Sequence, residues 1–165
     1  MSDDAIEGQA ARGRRTLWLE DMAPGRTFRF GDYAVERDEV VAFARKYDPQ
    51  PFHIDDAAAA TSVFGRLCAS GMHTMAMAHR LQMGGFQEVG LQVLAGLGMD
   101  EFRLSRPVFP GDSLHMEIEI GEARPLESKP GRGLLRYVTR VFNQKDEVVL
   151  TYLSTLMMAC RPIGA

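Results

Sequence analysis

The stretch YDPQPFHIDD, residues 47 to 56, places a carboxylate, Asp48, and an imidazole, His53, five positions apart. Histidine titrates near neutrality, and a neighbouring carboxylate can orient and charge it. Such a pair can pass a proton to and from one bound water. In an extended chain the two side chains would stand roughly 17 Å apart, too far to share a proton or a water. The chain must therefore fold back between them. Pro51 lacks an N–H and would clash with a preceding helical turn, and each proline drives the residue before it out of the α region. A rigid, non-helical loop is the expectation. Each residue also has a structural reading: Asp48 can cap a turn ahead of Pro49, and His53 can be satisfied by backbone groups. Asp55 reads mainly as a helix cap.

Other reactive side chains argue less. His73 and His79 sit six apart, which on a helix points them to different faces, so they do not form the i, i+4 pair of a zinc site. No metal is implied. Ser70 lies in ASGMH, which lacks the strand, Gly-x-Ser-x-Gly and helix sequence of a hydrolase nucleophile elbow. The methionines at 72, 75, 77, 83 and 99 suit a core or an acyl pocket, since a flexible thioether fits either. Cys68 and Cys160, the only cysteines, lie in apolar surroundings and read as buried, inert thiols of a reducing compartment.

The elements that must position these residues are legible in the periodicity. TFRFGDYAV, from residue 27, alternates as a first strand. RDEVVAFARKY (37 to 47) then puts Val40, Phe43, Ala44 and Tyr47 at the i, i+3, i+4, i+7 positions of a helix. Asp55 or Asp56 can cap a short helix over AAAATSVF. Residues 70 to 83 form a third helix, apolar nearly all round and so buried. After residue 91 the period changes to two. Strands are expected over 93–104, 133–142 and 148–159, and LHMEIEI sets Leu114, Met116, Ile118 and Ile120 against His115, Glu117 and Glu119. One strand, then helices, then a run of strands indicates an α+β fold, an antiparallel sheet packed on a helix.

The 165 residues, 45% hydrophobic, suit one domain. Residues 1–15 mix both charge signs with glycine and read as a flexible N-terminal tail before a single domain, 16–165. With 19 basic and 22 acidic residues interspersed and a net charge of −3, nothing favours nucleic acid or an anionic membrane. No run approaches the ~18 apolar residues of a membrane span. A cytoplasmic protein is the expectation.

YDPQPFHIDDAAAATSVFGRLCASGMHT and the downstream FRLSRPVFPGDSL together resemble the MaoC-like dehydratases, relatives of the (R)-specific enoyl-CoA hydratases. The landmarks run from about residue 30 to 114. The resemblance implies a hot-dog fold, an antiparallel β-sheet wrapped around a long central helix. It also implies assembly as a homodimer or higher even oligomer. It places Asp48 and His53 as the catalytic pair, and Gly71 and Ser70 at the oxyanion and substrate-binding position. No cofactor is implied beyond coenzyme A or an acyl carrier protein, carried as part of an acyl-thioester substrate. The chain departs from the family pattern at Gln50, where asparagine is usual, and at Ser70, where histidine is frequent. A serine that some hydratases carry falls at His79.

The implied reaction adds or removes water across the 2,3-bond of an enoyl thioester, within fatty acid metabolism. Asp48 and His53 would hold the water, and a backbone N–H at the head of a helix would meet the charge that develops on the thioester oxygen. Gly71 suits close approach there because it has no side chain. Two other functions share the fold: an acyl-CoA thioesterase and a non-catalytic acyl-thioester binding module. The Asp-x4-His pair favours the lyase. Arg66, Arg103 and Arg106 could meet coenzyme A phosphates, although scattered arginines usually form a solvated surface.

Overall fold

The structure, a computed structural model, describes residues 16–163; the expected N-terminal tail, 1–15, lies outside them. The elements run β1 (Thr27–Ala34), α1 (Arg37–Tyr47), α2 (Pro51–Ile54), α3 (Asp56–Ala60), α4 (Gly71–Val89), β2 (Val93–Leu104), β3 (Ser113–Pro125), β4 (Arg132–Phe142) and β5 (Val148–Ala159). The five strands form one sheet in the order β1-β3-β4-β5-β2, and every neighbouring pair is antiparallel.

Alternation decides which sheet face is inside. In β3, Leu114, Met116, Ile118 and Ile120 are buried and His115, Glu117 and Glu119 are not. Leu135, Tyr137 and Val141 of β4 and Leu150, Tyr152, Leu156 and Met158 of β5 join the same core. Met77, Ala78, Leu81 and Phe86 of α4 pack onto it. Each such leucine, isoleucine, valine, phenylalanine or methionine side chain contributes about 1.5–3 kcal/mol by leaving water. Gly85 lets α4 lie close to β1, because a Cβ there would strike the Phe30 ring. The core also encloses one polar link: the Gln82 amide donates to the Tyr137 hydroxyl and accepts from Tyr152 at 2.9 Å. This is the hot-dog arrangement of a sheet and one long helix.

Three helical expectations need correction. The helix expected over 70–83 continues to Val89 and ends at Gly90, whose φ of 72° is the left-handed conformation glycine accepts. It is not buried all round. Met72 is 56% exposed and Ala76, His79 and Arg80 are also exposed, because the sheet covers only one side of the helix. Met72 and Met99 therefore lie at the surface, while Met77 is core. In α1 the buried face is Val40, Val41 and Ala44. Phe43 is half-buried, stacked on His73 with ring centroids 4.6 Å apart, and Tyr47 is exposed. The short helix α3 stops at Ala60, and its cap is Asp55, whose carboxylate accepts from the Ala58 N–H at 2.8 Å.

Candidate active site

Two helix ends and one helical turn assemble the site. Asp48 terminates α1, its N–H bonded to the Ala44 carbonyl at 2.9 Å. The following chain does not fold back as a non-helical loop. Pro51 opens the single turn of α2 at its first position, where the missing N–H has no intrahelical partner to lose and the fixed φ suits a helix. The His53 N–H bonds to the Gln50 carbonyl at 3.0 Å and the Gln50 N–H to the Asp48 carbonyl at 2.8 Å. That tight path brings His53 Nε2 to 3.6 Å from Asp48 Oδ2.

Both groups are held from behind. His53 is buried, and its Nδ1 is 2.7 Å from the Cys68 carbonyl oxygen. A carbonyl only accepts, so Nδ1 carries a hydrogen, and Nε2 is the ring nitrogen turned toward Asp48. The Ser70 hydroxyl donates to Asp48 Oδ2 at 2.6 Å and accepts from the Met72 N–H at 3.2 Å. Ser70 is fully buried; its oxygen is committed to Asp48 and to capping α4, where the family resemblance set it beside the substrate. The Cys68 thiol lies 3.6 Å from His53 Nδ1, and burial pushes its pKa up to about 11. It stays a neutral thiol beside the imidazole.

Gly71 begins α4, so its N–H has no acceptor within the helix and stands at the positive end of the helix dipole. A Cβ at this position would collide with Leu104 of β2. His53, Phe64, Cys68, Gly71, Thr74 and Leu104 line a mainly apolar cavity of about 350 Å³. Asp48 and Ser70 are not part of that wall, so His53 is the member of the pair that meets the cavity. Sequence reasoning missed the Cys68 carbonyl, because a backbone acceptor leaves no mark on residue type. It also missed Leu104, for which the only signal is a glycine that needs open space above it.

Among the flagged arginines, Arg106 lines the cavity, Arg66 stacks over the Phe109 ring at 3.8 Å, and Arg103 is exposed on β2. His73 is buried and His79 exposed, on different faces of α4 as their spacing required. Among the described residues no helix is long and apolar enough to cross a membrane.

Residues 20–139 match the family model of the MaoC like domain. The chain belongs to this family. It is similar to the MaoC-like dehydratase of Rhodospirillum rubrum, with 37% identity, 88% of this chain and 99% of that one covered, and a TM-score of 0.81. The R-hydratase PhaJ1 of Pseudomonas aeruginosa shares 28% identity over 89% of this chain and 88% of its own, with a TM-score of 0.67. The uncharacterized YdeM of Bacillus subtilis is 30% identical over 78% of this chain and 89% of its own length. Mesaconyl-CoA hydratase of Cereibacter sphaeroides is 35% identical over 47% of this chain, which spans only 22% of that protein.

Proposed function

We propose that this MaoC-family protein is a hydratase or dehydratase of acyl thioesters, interconverting a 2-enoyl and a 3-hydroxyacyl thioester. The observation that carries the reading is the 3.6 Å approach of His53 Nε2 to Asp48 Oδ2, with His53 sharing its cavity with Gly71 at the head of α4. Two acceptors that share one water through its two hydrogens stand roughly 4.5 Å apart, so a small relaxation of the pair seats a water with its lone pairs turned toward substrate. In hydration the water oxygen attacks C3 and its proton passes to the pair. The 2,3-π electrons move onto C2 and the thioester oxygen, which Gly71 meets with a preorganised donor. The pair then returns a proton to C2. Dehydration is the reverse.

The relatives support the class: two are hydratases by name, and one acts on a coenzyme A thioester. Fatty acyl thioesters are the proposed substrates, and the cytoplasm the proposed setting, which the free cysteines fit. A homodimer is proposed because β2 is an edge strand with Leu94, Leu97, Met99 and Leu104 exposed, and exposed apolar edges invite pairing.

The deciding experiment mixes the protein with crotonyl-CoA and longer enoyl-CoAs and follows loss of the conjugated absorbance, with free thiol assayed in the same tube. Absorbance loss without thiol release is the expected result. Thiol release would establish a thioesterase, and binding with neither change would leave a binding module.

A further inference from the structure

A groove of about 550 Å³ is walled by residues of α1, α4 and β1. It shares no residue with the catalytic cavity: His73 lines the groove, while Thr74, the next residue of α4, lines the cavity. Its β1 member, Tyr33, lies on the sheet edge opposite β2, so the groove is not on the edge proposed for pairing.

His73 marks the groove as a site. It is 2% exposed, and neither of its ring nitrogens makes a hydrogen bond among the described residues. Glu39 Oε1 is 3.4 Å from Nε2, beyond the usual hydrogen-bond range, and both Glu39 oxygens already accept from the Tyr33 hydroxyl at 2.8 Å. The Phe43 ring holds the imidazole in place, stacked at 4.6 Å with the planes 11° apart. Buried polar groups are nearly always hydrogen-bonded, so an unpartnered imidazole fixed in a cavity wall points to an occupant that bonds it.

The other groups on the wall define that occupant. Lys46 and Arg80 are exposed there, and among the described residues neither has a carboxylate within salt-bridge distance. Glu39 is the only carboxylate on this wall, so two cations face one anion that Tyr33 already engages. Phe43, Tyr47 and Met77 supply apolar surface beside them. Cations and an imidazole next to aromatic rings suit a ligand with an anionic head and an apolar body.

We propose that the groove binds a small amphipathic carboxylate, its head bonded to His73 and facing Lys46 and Arg80, its apolar body along Phe43, Tyr47 and Met77. The proposal is independent of the hydratase reading, since the two cavities have no wall in common. A carboxylate beside His73 favours the charged imidazole. The groups facing the ring are Glu39, Lys46 and Tyr47 from α1, Tyr33 from β1 and Arg80 from α4; of all these residue types only histidine ordinarily changes charge between pH 8 and 6. Binding therefore takes up protons and tightens as pH falls.

Calorimetric titration of the full chain with benzoate and hexanoate, and with benzyl alcohol and hexanol as their uncharged counterparts, tests this. At least one acid should bind with a Kd of about 1 mM or tighter, and its alcohol roughly tenfold more weakly. Affinity should rise from pH 8 to 6, with proton uptake read as a heat that depends on the buffer. His73→Leu should weaken binding roughly tenfold and abolish the proton uptake. Lys46→Ala and Arg80→Ala should each weaken it about threefold, and Glu39→Gln, which removes the opposing charge, should tighten it. Lys46, Arg80 and Glu39 are exposed, so these three variants decide the matter even if His73→Leu does not fold. Failure of both acids to bind, alcohols that bind as tightly as the acids, or weaker binding in Glu39→Gln overturns the proposal. So does a Kd that His53→Ala weakens and His73→Leu leaves alone, since that places the acid in the catalytic cavity.

Discussion

The imidazole of His53 is fixed by the backbone of Cys68: Nδ1 lies 2.7 Å from that carbonyl oxygen, so the face left for chemistry is Nε2, and Nε2 looks toward Asp48. The catalytic reading depends on this bond, since the other tautomer would aim a hydrogen at the carboxylate and leave no bare nitrogen to share a water. If the proposed reaction holds, Asp48 and His53 should act as one unit. Asp48→Asn and His53→Ala should each lower turnover of an enoyl thioester by roughly 10²-fold or more, and the double variant should lose little beyond the worse single. Single-turnover rates alongside thermal melts check this. Additive losses would show separate roles, and near-normal turnover in a folded single would dismiss that residue.

Gly71 offers a second test, because the space above it is shared with Leu104. Gly71→Val should cut turnover by obstructing approach to the N–H, and it should also crowd Leu104. Adding Leu104→Ala should restore the melting temperature and leave turnover low. Recovery of both together would mean that the collision with Leu104, and not access to the N–H, explains the loss.

The fold was legible where periodicity is strong. The alternation of Leu114 to Ile120 placed β3, and residues 93–104 coincide with β2. The candidate residues Asp48, His53 and Gly71 could be named from residue type and spacing, but the geometry that brings them together could not. Pro51 read as excluding a helix, yet a proline at the first helical position opens α2, and sequence alone does not separate the start of a turn from its interior. The surface of α4 was misread for a different reason. Met72 and Ala76 are apolar, and composition cannot say which apolar residues face the sheet and which face out of a single chain.

That outward apolar surface leads to the third prediction. Leu94, Leu97, Met99 and Leu104 on the edge strand β2 are each about half-exposed, at 47–50%. Sedimentation at micromolar concentration should show a dimer, and Met99→Lys should shift it toward monomer by placing a charge on the pairing edge. A wild type that sediments only as monomer would count against the assembly.

His73 sets a pH dependence of stability. It is 2% exposed, and burial lowers its pKa below the ordinary 6.5, with Glu39, 3.4 Å away, opposing the shift. Tyr33, Lys46 and Arg80 line the same groove. The folded protein keeps this ring neutral where the unfolded chain binds a proton. Stability is therefore full above the unfolded value, falls as pH drops through about 6.5, and levels off below the folded value. Denaturant melts between pH 8 and 5 should show the decline, and His73→Leu should flatten it. An unchanged slope in the variant would place the effect elsewhere.

Ser70 joins the helix to the carboxylate, and its two bonds can be separated by choice of substitution. Its hydroxyl caps α4 through the Met72 N–H and holds Asp48 Oδ2. Ser70→Ala should lose both, costing about 1 kcal/mol of stability through the cap and about tenfold in kcat, the scale of one hydrogen bond to a charged group. Glycine is a tolerable cap that costs only a few tenths of a kcal/mol, yet it has no hydroxyl for Asp48. Ser70→Gly should therefore melt near wild type while losing as much kcat as the alanine variant. KM should barely move in either, since Ser70 does not line the cavity. If kcat instead follows the melting temperature across the two variants, Ser70 serves the helix alone and the orientation of Asp48 must come from the end of α1.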